Sequence, residues 1–305
     1  MTLFELWQEG AQSLEQAGVP DSEQDARTLL MEAFHLDMTH FLLERMRELG
    51  DTEDHTAAAA QYRQWIRLRS GRTPLQHLLG TQEFMGLPFA VNEHVLIPRQ
   101  DTETLVELVL AEQKDPRIRL LDLCTGSGCI PIGLAVKGGY AQVTASDISQ
   151  EALEVARKNW EALRPEAVAR KGAQNAGGSA AQELIFYQGD LFAALPPETE
   201  PFDVITSNPP YIPTEVIRGL EPEVRDHEPI LALDGAEDGL YFYRRLAKEA
   251  RAWLTEGGSL YLEIGHDQGE EVSGLLREAG FAQIQVIKDL PGHDRVVRGT
   301  WKSGA

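Results

Sequence analysis

Apolar residues recur at helical spacing from the start of the chain. Leu3, Leu6, Trp7, Gly10, Ala11 and Leu14 fall on one face of a helix over residues 3–14. A second helix turns Ala26, Leu29, Leu30, Ala33 and Phe34 inward, with Asp21 or Ser22 as its cap and Ser22 and Asp25 at capping-box spacing. Residues 39–46 predict a short third helix. A fourth begins near Thr56, with Ala58, Tyr62, Trp65 and Ile66 on one side. Residues 1–70 therefore predict a small helical domain, and no catalytic constellation stands in it. Residues 71–98 are punctuated by Gly71, Pro74, Gly80, Gly86 and Pro88, which predicts an extended or β-hairpin linker. A helix with Leu105, Val106, Leu108 and Val109 follows, capped by Asp101 or Thr102. Asp101 and Glu103 in its first turn are expected to complement the helix dipole.

From about residue 117 the period changes. Arg119–Leu123, 141–147, Leu184–Tyr187 and Phe202–Ser207 read as strands, separated by helices at 130–136 and 149–163. A helix at 239–254, a strand at 258–264, a helix at 268–279 and a strand at 281–288 continue the alternation, and 295–301 adds a last antiparallel strand. This predicts an α/β domain over 99–305, doubly wound on a mostly parallel sheet. The small and polar residues of 164–182 predict a surface loop, to which no function is given.

Composition narrows the function classes. The 305 residues are 42% hydrophobic and 25% charged, as in a soluble globular protein. No apolar run is long enough for a membrane span, and the N-terminus does not read as a secretory signal. Two cysteines, Cys124 and Cys129, argue against a disulfide scaffold and for a reducing cytoplasm. No metal site is expected. The formal charge of −20 disfavours a nucleic-acid substrate, because phosphate affinity comes largely from Lys and Arg.

Two stretches carry chemistry. Asn208-Pro209-Pro210-Tyr211 follows an apolar strand that must end there, since proline cannot donate to a sheet ladder. The prolines stiffen the backbone, so the Asn208 side chain and the Asn208 and Pro209 carbonyls are held at the carboxyl end of a strand. Two acceptors at fixed angles suit an NH2 group, and Tyr211 adds an aromatic wall. A Pro-rich turn alone would mean little. The second stretch, Leu121 to Ile130, is a strand, a turn with Gly126 and Gly128, and a helix start. Dehydrogenases use such a turn for a dinucleotide and methyltransferases for S-adenosylmethionine. Pro131 departs from the dinucleotide fingerprint and no Gly-Lys-Ser/Thr follows, so a ligand without phosphates fits better. Asp147 ends the next strand, where a carboxylate can accept from both ribose hydroxyls; capping the helix ahead of Ser149 is the alternative. Asp190, before Leu191 and Phe192, stands where an adenine amino group could be bonded. In a doubly wound sheet the first and fourth strands are neighbours, which sets the Gly126 turn beside Asn208.

The chain resembles the release factor glutamine methyltransferases over nearly its full length. The resemblance rests on Pro74-Leu75-Gln76, Leu96-Ile97-Pro98-Arg99, Asp122 to Ile130, Asp147-Ile148-Ser149, Gly189-Asp190-Leu191-Phe192 and Ser207 to Ile212. Glu223-Val224-Arg225-Asp226-His227-Glu228-Pro229, Leu233-Asp234-Gly235 and Asp238-Gly239-Leu240 extend it. It implies a Rossmann-like, S-adenosylmethionine-dependent methyltransferase domain behind a helical substrate-docking domain. It also implies methylation of the glutamine of the Gly-Gly-Gln loop in class I peptide chain release factors. By resemblance the cofactor contacts Cys124, Thr125, Gly126, Ser127, Gly128, Asp147, Asp190, Leu191 and Asn208. The substrate amide contacts Asn208, Pro209, Pro210 and Tyr211, of which Asn208, Pro209 and Tyr211 are the catalytic set. Two positions depart from the family: Cys124 replaces a usual Gly, and Gln100 a usual Pro. The rival readings are a ribosomal-protein glutamine methyltransferase, an adenine-N6 nucleic-acid methyltransferase and a non-catalytic binding module.

Overall fold

The computed structural model describes residues 1–50, 52–174 and 183–302. They form two units. One is Met1–Thr81 with Glu221–His227; the other is Gln82–Leu220 with the described residues from Glu228 onward. Among the described residues no helix is long and apolar enough to cross a membrane.

The first unit contains α1 (Leu3–Gln16), α2 (Ser22–Ala33), α3 (Met38–Glu44), α4 (Glu53–Ser70) and α5 (Leu75–Leu79). Leu6, Leu14, Leu29, Leu30, Phe41 and Tyr62 fill its core. Helix α1 opens on a reciprocal cap: Glu5 N–H donates to Thr2 Oγ1 at 3.1 Å and Thr2 N–H to the Glu5 carboxylate at 2.8 Å. The capping box expected for α2 is absent. Ser22 is already helical behind Asp21, and no side chain caps that end. Asp25 is drawn away because Arg69 Nε, in α4, donates to it at 2.8 Å in a buried pair. Arg69 also donates to Glu223 at 2.8 Å, and Arg72 donates to the same carboxylate at 2.7 and 2.6 Å. Burial opposes ionisation of Glu223, yet the bonds from Arg72 and Arg69 bring its carboxyl down to about 2.

The second unit starts at Gln82, inside β1 (Thr81–Phe84), which forms a hairpin with β2 (Leu87–Ala90) and precedes α6 (Gln100–Glu112), β3 (Arg119–Leu123), α7 (Cys129–Gly138), β4 (Gln142–Asp147) and α8 (Gln150–Gln174). Then come β5 (Glu183–Gln188), β6 (Phe202–Ser207) and three short helices, α9 (Thr214–Ile217), α10 (Pro222–Arg225, in the first unit) and α11 (Ile230–Leu233). The chain closes with α12 (Tyr241–Glu249), β7 (Leu254–Glu263), α13 (Gly269–Glu278), β8 (Phe281–Lys288) and β9 (Asp294–Trp301). Seven strands make one sheet in the order β5-β4-β3-β6-β7-β9-β8. Strands β3 to β7 pair parallel, and β9 runs antiparallel to both neighbours.

Both faces of the central strands are buried, which is why they read as continuous apolar runs. Leu120, Val143 and Val204 face a core built with Phe84, Phe89, Leu105, Ile132 and Trp160. Leu121, Leu123, Ile205 and Leu260 face the other, with Tyr243, Leu246, Val272 and Leu276.

Three further expectations are corrected. Helix α6 starts earlier than expected: its cap is Arg99, so Asp101 and Thr102 both lie inside the first turn. Their side chains are taken by tertiary partners, Asp101 by Arg295 at 3.2 Å and Thr102 by a buried polar cluster. Glu103, expected only to complement the dipole, accepts from Met85 N–H. Helix α8 runs on through Pro165 to Gln174 instead of ending at residue 163. The stretch after the proline, 166–174, holds three alanines with one glutamate, one arginine, one lysine and one glutamine, helix formers that offset one lost backbone bond. The rest of the expected loop lies outside the described residues.

Candidate active site

The site grows out of two adjacent strand ends. β3 pairs with β6 so that Leu123 stands opposite Ser207. Ser207 Oγ donates to the Leu123 carbonyl at 2.8 Å, which ties the strand ends together. The residues that follow are Cys124, entering the Gly turn, and Asn208, entering Pro209-Pro210-Tyr211. The turn and the tetrapeptide therefore leave the sheet side by side. Deeper in the same pair, Thr206 Oγ1 donates to Asp122 at 2.7 Å. Asp122 is fully buried, and burial pushes its carboxyl up to about 7 against the hydrogen bonds of Thr125 and Thr206.

A cavity opens above these ends. Its wall includes Cys124 to Ser127, Asp147 to Ser149, Gly189 to Leu191, Asn208, Pro210 and Phe242. Gly126 has φ +53°, and a Cβ built there would meet nothing within 4 Å. The backbone is thus bare where the cavity meets the turn. Asn159 of α8 fixes the turn from behind, its amide donating to the Ser127 carbonyl at 2.9 Å. It also brackets Ala90 of β2, donating to the carbonyl at 3.1 Å and accepting from the N–H at 2.7 Å.

Asp147 accepts from Gly126 N–H at 2.8 Å through one oxygen and from Ser149 N–H at 2.9 Å through the other. The local turn alternative is therefore real: Asp147 orders the start of α8. Each oxygen still has a free acceptor site. Burial raises its carboxyl above the usual range, with the bonds to Ser149, Gly126 and Ile148 opposing. Asp190 lies on the wall, and both its oxygens accept from Arg245 Nη1, at 2.8 and 2.9 Å. Leu191 is 4% exposed and held at φ +48°, a left-handed conformation costly for a leucine and of the kind that clusters at ligand sites.

Of the tetrapeptide, Asn208 and Pro210 line the cavity, whereas Pro209 and Tyr211 are not among its lining residues. Tyr211 packs against the α12–α13 core layer instead, and its carbonyl accepts from Gln268 Nε2 at 3.1 Å. Burial pushes its phenol up to about 12, so it stays neutral. Gly235 and Gly239 back this loop; a side chain on Gly239 would run into the Tyr211 carbonyl. Ile212 bridges Asp234 on the same side. The Leu233–Gly239 segment of the sequence pattern thus supports the tetrapeptide from below. Glu228 supports the other side. It accepts from Ile97 N–H at 3.1 Å and from Arg99 at 2.6 Å, which explains why Ile97-Pro98-Arg99 and Glu228-Pro229 belong to one pattern.

The sequence reading missed four residues here: Asn159, Gln268, Thr102 and Glu263. Glu263 ends β7 and is 1% exposed. Burial pushes its carboxyl up to about 7, opposed by the neighbouring Thr102 hydroxyl, the Arg295 charge and the Asn208 amide. A glutamate closing the apolar run Leu260-Tyr261-Leu262 was the available signal, because an ionisable group at the carboxyl end of a buried strand costs too much without a role.

The donor set suits S-adenosylmethionine. The bare Gly126 backbone and the Asp147 acceptors fit a ribose, the Ile148 and Leu191 side chains fit an adenine, and the turn offers no lysine for a phosphate.

Residues 5–80 match the family description "PrmC N-terminal domain", and residues 100–218 match "Methyltransferase small domain". A release factor glutamine methyltransferase of Caulobacter vibrioides is 38% identical over 98% of this chain and 96% of its own. One of Deinococcus radiodurans is 38% identical over the whole of both chains. Among solved structures, a release factor-specific protein-(glutamine-N5) methyltransferase of Alicyclobacillus acidocaldarius is 31% identical. It covers 70% of this chain and 99% of its own with a TM-score of 0.38. The hMettl16 catalytic domain, 16% identical over 80% of each chain with a TM-score of 0.53, shares the fold alone. With relatives 38% identical aligned over 98% or more of its length, the chain belongs to the release factor glutamine methyltransferase family.

Proposed function

We propose that this protein transfers a methyl group to the side-chain amide nitrogen of the glutamine in the Gly-Gly-Gln loop of class I peptide chain release factors. The family uses S-adenosylmethionine, which when bound supplies an electrophilic methyl group on a sulfonium leaving group. The observation that carries the reading is the juxtaposition of Asn208 with the Gly126 turn, locked by the Ser207–Leu123 bond.

Cys124 to Gly128, Asp147, Asp190 and Leu191 would hold the cofactor. Asp147 would accept from the ribose hydroxyls with the lone pairs that Gly126 and Ser149 leave free. Asn208 Oδ1 would accept one hydrogen of the substrate amide from the cavity wall; the Pro209 carbonyl, which is outside that wall, would accept the other only if it turns toward the bound amide. An amide nitrogen is a poor nucleophile because its lone pair is delocalised, so the residues act chiefly by orientation. Holding reacting atoms about 3 Å apart converts a bimolecular step into one within a complex. The same acceptors stabilise positive charge as it grows on nitrogen. Pro209 and Pro210 keep them from relaxing, and Tyr211 seats the loop through its carbonyl bond to Gln268. No strong base is needed at this point, since the methylated nitrogen is acidic and loses its proton readily.

The test mixes the protein with methyl-labelled S-adenosylmethionine and a class I release factor, beside a factor carrying Ala at the loop glutamine. Label on the first and none on the second is expected. Label on both would move the target elsewhere on the factor. Label on neither would overturn the substrate assignment and leave ribosomal proteins as the next substrate to try.

A further inference from the structure

A primary amide has two donors on one end and an acceptor on the other. Only one orientation of Asn208 offers its oxygen to an incoming N–H. The surroundings of Asn208 choose between the two. Its Nδ2 donates to Thr102 Oγ1 at 3.4 Å. Thr102 is 2% exposed, carried on the first turn of α6. Glu263 stands beside Asn208 by register, since Ser207 pairs with Leu262 and each strand then advances one residue. Its carboxyl neighbours both Thr102 and Asn208, and its buried Oε2 has no hydrogen-bond partner among the described residues. In its ionised form, which prevails above about pH 7, the carboxyl only accepts and so draws the NH2 end. A flipped amide would set its oxygen against the carboxylate and present NH2 to a substrate NH2, with no bond on either side.

We propose that Glu263, together with Thr102, is a positioning residue that turns the Asn208 carbonyl oxygen toward the cavity as the acceptor for the substrate amide. The inference rests on the reading of Asn208 given above. The neighbourhood supports a directional role over simple packing. Arg295 pairs with Asp289 and Asp101, each at 3.2 Å; among the described residues no ion pair joins it to Glu263, and its charge favours the ionised carboxyl without orienting it. Tyr243 donates to the Glu263 backbone carbonyl at 2.8 Å, which fixes the strand end and leaves the side chain for Asn208 and Thr102.

Glu263→Gln, Glu263→Leu, Thr102→Val and Asn208→Ala separate the possibilities when kcat, KM for the release factor and cofactor affinity by calorimetry are measured on each full chain. Glutamine keeps an acceptor for Asn208 and gains a donor for Thr102, so Glu263→Gln is expected to hold kcat within about fivefold. Leucine removes the acceptor, so Glu263→Leu is expected to lose at least tenfold in kcat. Its cofactor affinity stays within threefold and its melting temperature is not lowered, since apolar replacement of a buried charge is often neutral or stabilising. Should Glu263→Leu not fold, Thr102→Val carries the test, with an expected loss of at least fivefold in kcat at unchanged cofactor affinity. If Asn208→Ala abolishes turnover while Glu263→Leu or Thr102→Val keeps wild-type kcat, the positioning role is overturned and the reading of Asn208 stands. If Asn208→Ala itself turns over normally, that reading fails and the positioning role falls with it.

Discussion

Cys124, which by resemblance stands where the family usually has Gly, has its backbone at φ +59°. A side chain in the left-handed region costs about 1–2 kcal/mol. Replacing it with glycine removes that strain. Against this, glycine loses about 0.5–1 kcal/mol through the freedom of the unfolded chain. The lost contact of Cβ and Sγ with the α12–α13 core layer, where Cys124 is partly buried, takes roughly 1 kcal/mol more. The terms nearly cancel, so Cys124→Gly is expected within about 1 kcal/mol of the natural protein. Alanine keeps the strain and loses the sulfur, costing about 1 kcal/mol. Valine adds β-branching to a left-handed backbone and is expected to cost more than about 2 kcal/mol. The stability order is then Gly and Cys together, followed by Ala, with Val last. An ordinary half-buried strand end would give Val first and Gly last. Thermal unfolding resolves this, since 1 kcal/mol moves the melting temperature of a domain this size by roughly 2–4 °C. Cofactor affinity of Cys124→Gly should stay within a few fold, because the thiol, kept protonated by burial, supplies no charge to the site. A Cys124→Gly protein melting below Cys124→Val would refute the reasoning.

Two further outcomes follow from buried charges. Arg69→Met leaves Asp25 and part of Glu223 without a counter-ion, and stripping one partner from a buried pair costs about 3–5 kcal/mol. Urea unfolding followed by tryptophan fluorescence should show the helical unit, which carries Trp7 and Trp65, melting at markedly lower denaturant. Asp122, raised from 3.8 to about 7 chiefly by burial, binds its proton in the folded protein over a range where the unfolded chain has released it. Its contribution to stability is complete below about pH 4 and is lost as pH rises through 7. Asp122→Asn should flatten the stability profile between these values, and an unchanged slope would count against the assignment.

The strands and the adjacency of β3 and β6 were legible because burial on both faces writes continuous apolar runs, and because Gly126 and Asn208 mark strand ends by their backbone chemistry. What stayed hidden depends on long-range partners. Asp25 has the spacing of a capping residue and is recruited by Arg69, 44 positions away. Thr102 has the look of a cap and points into a buried cluster with Asn208, 106 positions on. Tyr211, expected as a cavity wall, turns into the core because Gln268 holds its carbonyl. Helix α8 outlasts its proline through composition that a breaker rule discounts.

The account turns on Asn208 acting as an acceptor for the substrate amide. The most direct measurement is the single-turnover rate of methyl transfer to a class I release factor by Asn208→Ala, beside its cofactor affinity by calorimetry. The account predicts a rate lower by at least 100-fold with cofactor affinity within about threefold, because the alanine leaves the Gly126 turn intact and removes only the group facing the amide. A near-normal rate, or a rate that falls only in step with cofactor affinity, would contradict it.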